Sequence, residues 1–87
     1  MLKTKTRVFL PNESILGQRT SFDVSCFIDL NYVVAYYELP VDDEYPKGGT
    51  NICVGNHDIT ILMNYDEFEL IYEEFLKNKM IFNIKFN

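Results

Sequence analysis

The chain has 87 residues, 47% of them apolar and 15% aromatic, and a formal net charge of −5 at pH 7. That apolar content excludes an intrinsically disordered chain, and the length fits one domain burying roughly 60–65% of its unfolded surface. The apolar runs are short and the N-terminus lacks the apolar core and cleavage site of a signal peptide, so the expectation is a cytosolic protein without a membrane span.

The charge is unevenly spread. Residues 1–20 carry Lys3, Lys5, Arg7 and Arg19 against Glu13, whereas the remainder holds twelve acids against Lys47, Lys77, Lys79 and Lys85. Phosphate backbones need clustered cations, so the folded body disfavours nucleic acid. The basic N-terminal segment reads first as a charged edge strand that discourages aggregation, and second as a contact for a phosphate or an acidic partner.

Taken in order, residues 4–10 alternate weakly and stop at Pro11, as an edge strand closed by a loop does. Residues 12–19 are ambiguous: the PNES start can nucleate a helical turn before Gly17, but nothing sustains a longer helix. From Phe22 to Leu30 the pattern is strict, with Phe22, Val24, Cys26, Ile28 and Leu30 on one face of a half-buried strand. Asp29, Leu30 and Asn31 then predict a bend or bulge. Residues 33–39, VVAYYEL, are apolar on both faces, which predicts a strand either central in the sheet or covered by another subunit. A loop over 40–49 follows, long for so small a domain.

The best-specified stretch is residues 50–76. Gly55-Asn56-His57 centres a tight hairpin. With Asn56-His57 as the turn, Val54 faces Ile59 and Ile52 faces Ile61; with Gly55-Asn56 the register shifts and the faces stay the same. Asn64 and Glu67 have the spacing of a capping box, Met63 and Phe68 that of a hydrophobic staple, and Asp66 and Glu67 favour the helix dipole. Phe68, Ile71, Tyr72, Phe75 and Leu76 form one buried stripe, with Glu69, Glu73, Glu74 and Lys77 turned outward. Finally Met80, Phe82, Ile84 and Phe86 alternate with other residues and predict a terminal apolar strand over 80–86. The expected fold is α+β: one domain over 1–87 with its core in 22–76, an antiparallel meander of about five or six strands, and one principal amphipathic helix on a face.

The runs Phe27-Ile28-Asp29-Leu30-Asn31, Val33-Val34-Ala35-Tyr36-Tyr37-Glu38, Thr50-Asn51-Ile52-Cys53-Val54 and Ile59-Thr60-Ile61, with Tyr65-Asp66-Glu67-Phe68 opening a helix, resemble the small flagellar FlbD-type proteins and similar short phage or bacterial domains. The likeness covers residues 22–76. This chain lacks the proline usual after that asparagine and adds the 40–49 loop and the apolar terminus. What the resemblance implies is a fold and a small accessory or regulatory role, without catalytic residues.

Read directly, the residues show no enzyme and no cofactor site. His57 is expected in a turn beside Asp58, where a histidine is ordinarily solvated. No serine or cysteine has a nucleophile setting, and Gly48-Gly49 precedes a strand, the wrong order for a phosphate loop. Cys26 and Cys53 lack paired zinc spacing and read as small buried hydrophobes. Asp42, Asp43 and Glu44 lack calcium-loop spacing and read as solvated.

Three functions remain open. The first is a non-enzymatic interaction or regulatory protein that forms a homo-oligomer or binds another protein. Its candidate contacts are Tyr36, Tyr37, Asp42, Asp43, Glu44 and Tyr45, with Leu70 as an anchor on the acidic helix face; against it, both apolar strands are simply core. The second is a module that binds or sequesters an anionic or nucleotide-like small molecule, of a kind that phages and mobile elements encode. Tyr36, Tyr37 and Tyr45 would stack on the ligand and Arg7, Arg19 or Lys47 would hold its charge. The third is an acidic decoy that inhibits a nucleic-acid-binding enzyme with Asp42, Asp43, Glu44, Glu69, Glu73 and Glu74.

Overall fold

Alternation, a tight turn and a helix cap generate the order β1 (Leu2–Phe9), β2 (Ser21–Ile28), a 3-10 turn (Leu30–Tyr32), β3 (Val33–Leu39), β4 (Gly49–Val54), β5 (His57–Ile61) and α1 (Tyr65–Phe86). The structure, a computed structural model, describes residues 1–10 and 20–86, the side chains of 81–86 excepted. The ambiguous stretch 12–19, and Arg19 with it, lies outside the described residues.

The five strands make one antiparallel sheet in the order β2-β1-β5-β4-β3, with α1 packed on one face, so the fold is α+β. Only residues 29–32 join β2 to β3, although these strands occupy opposite edges. In a flat sheet those edges lie about 19 Å apart, and five extended residue steps span at most about 18 Å. The sheet therefore curls to bring its edges together. The 3-10 turn makes that link compact: Asp29 Oδ1 accepts the Asn31 N–H at 3.0 Å, and the Tyr32 carbonyl accepts the Gly55 N–H at 3.0 Å. Curling also explains why β1 and β5 register through Thr6 opposite Ile61, whereas β1 and β2 pair along their whole lengths.

Two strand placements depart from expectation. β1 is internal, between β2 and β5, and VVAYYEL is an edge strand and not a central one. Long-range pairing decided β1's place, because in addition to β2, the next strand in the chain, it takes a second partner, β5, that lies far away in sequence. The hairpin takes the second of its two registers: Ile52 opposes Ile59 and Val54 opposes His57, so Gly55-Asn56 is the turn. Gly55 has φ +59°, a conformation that glycine adopts without the Cβ penalty. His57 consequently opens β5 instead of lying in the turn.

Register alternation turns Leu2, Cys26, Ile28, Ile52, Ile59 and Ile61 toward the helix. There Ile28, Leu30, Ile52, Ile61 and Phe68 form the buried core, with Tyr36, Ile71, Tyr72 and Phe75 packed around it. The helix starts where the sequence places it: Asn64 Oδ1 accepts the Asp66 N–H at 2.9 Å, and Met63 joins the cluster containing Phe68. Buried Thr50 fastens this start to the sheet by donating its hydroxyl to the Met63 carbonyl at 2.9 Å. Cys26 lies on the helix side and Cys53 on the other, and both are free thiols.

The expected strand over 80–86 is absent, because α1 continues through Phe86. Its alternation is real, but no Gly or Pro separates it from a helix already nucleated at Asn64. Propagating that helix adds one hydrogen bond per residue without a new nucleation cost. The stripe also ends earlier than expected, since Leu76 is 41% exposed.

Candidate functional site

The two expected binding groups are split among three places. Arg7 on β1 stands opposite Asp23 on β2, and its Nε donates to Asp23 Oδ1 at 2.9 Å. Its Nη1 donates to the Glu44 carbonyl at 2.6 Å, and its guanidinium lies 5.5 Å from the Tyr45 ring centroid. The Tyr45 ring in turn meets Phe9 edge-on at 5.9 Å. The loop holding Tyr45 there is tied by its own turn: Asp42 Oδ1 accepts the Tyr45 N–H at 2.7 Å, and the Tyr45 carbonyl accepts from Asp42 and Gly48. Gly48, at φ +69°, lets the chain return into β4 beside the Leu39 carbonyl.

Arg7, Asp23, Tyr45 and Lys47 thereby line a recess of about 290 Å³. Two of the three expected anion-binding cations, Arg7 and Lys47, meet there. Arg7 arrives already bonded, however. The hydrogen bond to Asp23 raises the affinity of the guanidinium for its proton and holds the carboxyl below the ordinary carboxylate range. Asp42 is used in the turn, and Asp43 and Glu44 are exposed. Among the described residues, no group of three or more His, Cys, Asp or Glu side chains is placed to hold a metal.

The tyrosines do not converge. Tyr36 points to the helix, its ring centroid 5.0 Å from Phe68, 5.4 Å from Tyr72 and 5.7 Å from Tyr65. Burial, with Glu69 and Glu73 nearby, pushes its hydroxyl pKa up. Tyr37 lies on the opposite face and is half exposed, and Tyr45 sits under Arg7. A planar ligand therefore cannot be sandwiched by these three rings. Both thiols are pushed toward the neutral form. Burial raises the Cys26 pKa, and a hydrogen bond with the Asp58 carboxylate raises that of Cys53. Among the described residues one buried polar group stays unmet: Asn51 accepts from the Thr60 hydroxyl at 2.9 Å, but its Nδ2 has no partner.

The third place is the outer half of α1. Phe68, Ile71, Tyr72 and Phe75 pack on the core, and residues 76–80 are exposed. Leu76 and Met80, 41% and 63% exposed, lie four residues apart among Glu73, Glu74, Lys77 and Lys79. Leu70, the expected anchor, is 68% exposed on the same helix. The sequence signal for this surface was available but assigned to the wrong period: the apolar residues from Met80 to Phe86 read as a strand. No helix among the described residues is long and apolar enough to cross a membrane.

Compared with family models, with curated proteins and with solved structures, the chain matches none, and none of these comparisons bears on the likeness to flagellar FlbD-type proteins.

Proposed function

We propose that this chain is a non-catalytic interaction protein and that the outer half of α1 is its docking element. The observation that carries the reading is the mismatch between helix and sheet. α1 has 22 residues, about 33 Å of helix, yet among the described side chains the last one packed on the core is Phe75, and residues 76–80 are all exposed. A helix is cooperative and marginal in isolation, so the exposed turns over 76–80 gain little from their own domain. The sequence nevertheless places Leu76, Met80, Ile81, Phe82, Ile84 and Phe86 there, residue types that are stabilised by leaving water. Burial against another protein surface supplies the stabilisation that the sheet does not.

The test is native mass spectrometry of the protein drawn gently from a lysate of the cells that make it, beside Met80→Glu. The expected result is a discrete complex heavier than the 10.2 kDa chain that Met80→Glu depletes. A bare monomer, or a complex indifferent to Met80→Glu, overturns the reading.

A further inference from the structure

We infer that the partner of this helix is a second copy of the same chain, paired antiparallel along α1 about a two-fold axis near Leu76. This rests on the outer half of α1 being a docking element and adds its occupant and orientation. The charges of α1 form two blocks: Asp66, Glu67, Glu69, Glu73 and Glu74 precede Leu76, and Lys77, Lys79 and Lys85 follow it, with no exception in either block. The helix dipole favours this polarity only within the first and last turns. Glu73, Glu74, Lys77 and Lys79 lie in the middle of the helix, beyond that reach.

Pairing within the helix does not use them either. Glu73 and Lys77 have the favourable four-residue spacing, yet the ion pair found among the described residues is Arg7–Asp23, on the sheet. Lys79 only brings its ammonium 6.0 Å from the Phe75 ring centroid. The four mid-helix charges are exposed and flank the exposed apolar Leu76 and Met80.

An antiparallel copy meets all of these features together. A two-fold axis at Leu76 sets position i level with position 152 − i of the partner. Glu73 then stands level with Lys79 and Tyr72 with Met80, all within about 60° of Leu76 around the helix at 3.6 residues per turn, and Leu76 stands level with itself. The Glu73–Lys79 and Tyr72–Met80 pairs each occur twice and the Leu76 self-contact once, as an isologous interface requires. A parallel pair would instead set acid against acid and lysine against lysine, so the charge order excludes it.

The experiment is sedimentation of the purified protein over a range of concentrations, with circular dichroism as the control for folding. The wild type should self-associate, more weakly as salt rises. Lys77→Glu with Lys79→Glu should weaken association about tenfold or more, because both symmetry-related Glu73–Lys79 pairs turn from attraction to repulsion. Glu73→Lys with Glu74→Lys should do the same. Combining all four substitutions in one chain should restore association, and so should mixing the two double variants. All four positions are exposed, so the fold of the protomer is retained. A folded wild type that is monomeric throughout, a dimer indifferent to lysine reversal, or failure of both restorations overturns the inference. If the purified chain is monomeric but a Met80-dependent complex with another protein is found in lysate, the docking reading stands and the self-pairing falls; if neither complex exists, both fall.

Discussion

Replacing Phe68 by alanine should remove a large part of the stability of this fold. Its ring is fully buried, edge-on to Tyr36 at 5.0 Å and stacked on Tyr72 at 5.9 Å, so it joins the edge strand β3 to the helix. A buried phenylalanine removes about 150–250 Å² from water, which at about 25 cal/mol per Å² gives an upper bound of about 4–6 kcal/mol. Alanine keeps the Cβ but leaves a cavity, so the expected loss is about 3–5 kcal/mol. A domain of this length has about 4–13 kcal/mol in total. The variant should therefore shift the urea midpoint down by at least about 1 M, or fail to fold. Unfolding followed by far-ultraviolet circular dichroism at one fixed protein concentration makes the measurement. Leu70→Ala, at a position 68% exposed, is the control and should stay within about 0.5 kcal/mol of wild type. A Phe68→Ala midpoint indistinguishable from that control would refute the assignment of Phe68 to the centre of the core.

Three further outcomes follow from individual contacts. Thr50→Val preserves shape but leaves the Met63 carbonyl without its 2.9 Å donor, and should cost about 1–3 kcal/mol in the same assay; no change would mean that water replaces the hydroxyl. The Asp23 pKa is depressed by its hydrogen bond to Arg7. Its contribution is thus present above about pH 3.9, the unfolded value, and is lost as pH falls through the lower folded value. Asp23→Asn should flatten that acid limb, with a small amplitude because the pair is at the surface; urea midpoints measured down the acid range check it. The Tyr36 pKa is raised, first by burial and then by Glu69 and Glu73. Its stabilisation is present below about pH 10 and disappears as pH rises through the folded value, so Tyr36→Phe should hold its midpoint further into alkali, and an ultraviolet phenolate titration should lose one component that ionises later than an ordinary phenol.

Much of the candidate site was legible as residue types and little of it as placement. The exposed Leu70 on the acidic helix could be read from spacing, because helical period alone puts it off the stripe of Phe68, Ile71, Tyr72 and Phe75. Tyr36, Tyr37 and Tyr45 could be counted but not placed. Adjacent strand residues face opposite sides of a sheet, and which side is covered depends on where the helix comes to rest. The meeting of Arg7 with Tyr45 joins residues far apart in sequence, through a loop whose turn is closed by Asp42.

What the sequence by itself determined is local. Alternation from Val24 to Ile28 made a half-buried strand, Gly55-Asn56 made a two-residue turn, and Asn64 made a helix cap, because backbone period, positive φ and an orphan N–H are each answered within a few residues. Tertiary structure alone decided the order of the strands. It drew β1 to the interior and left VVAYYEL at an edge, since pairing energy is collected between partners that local pattern cannot identify. It also decided the fate of residues 80–86, whose alternation suits a strand equally well. Continuity with a helix already capped at Asn64 and anchored through Phe68 made propagation the cheaper course, and that carried α1 through Phe86.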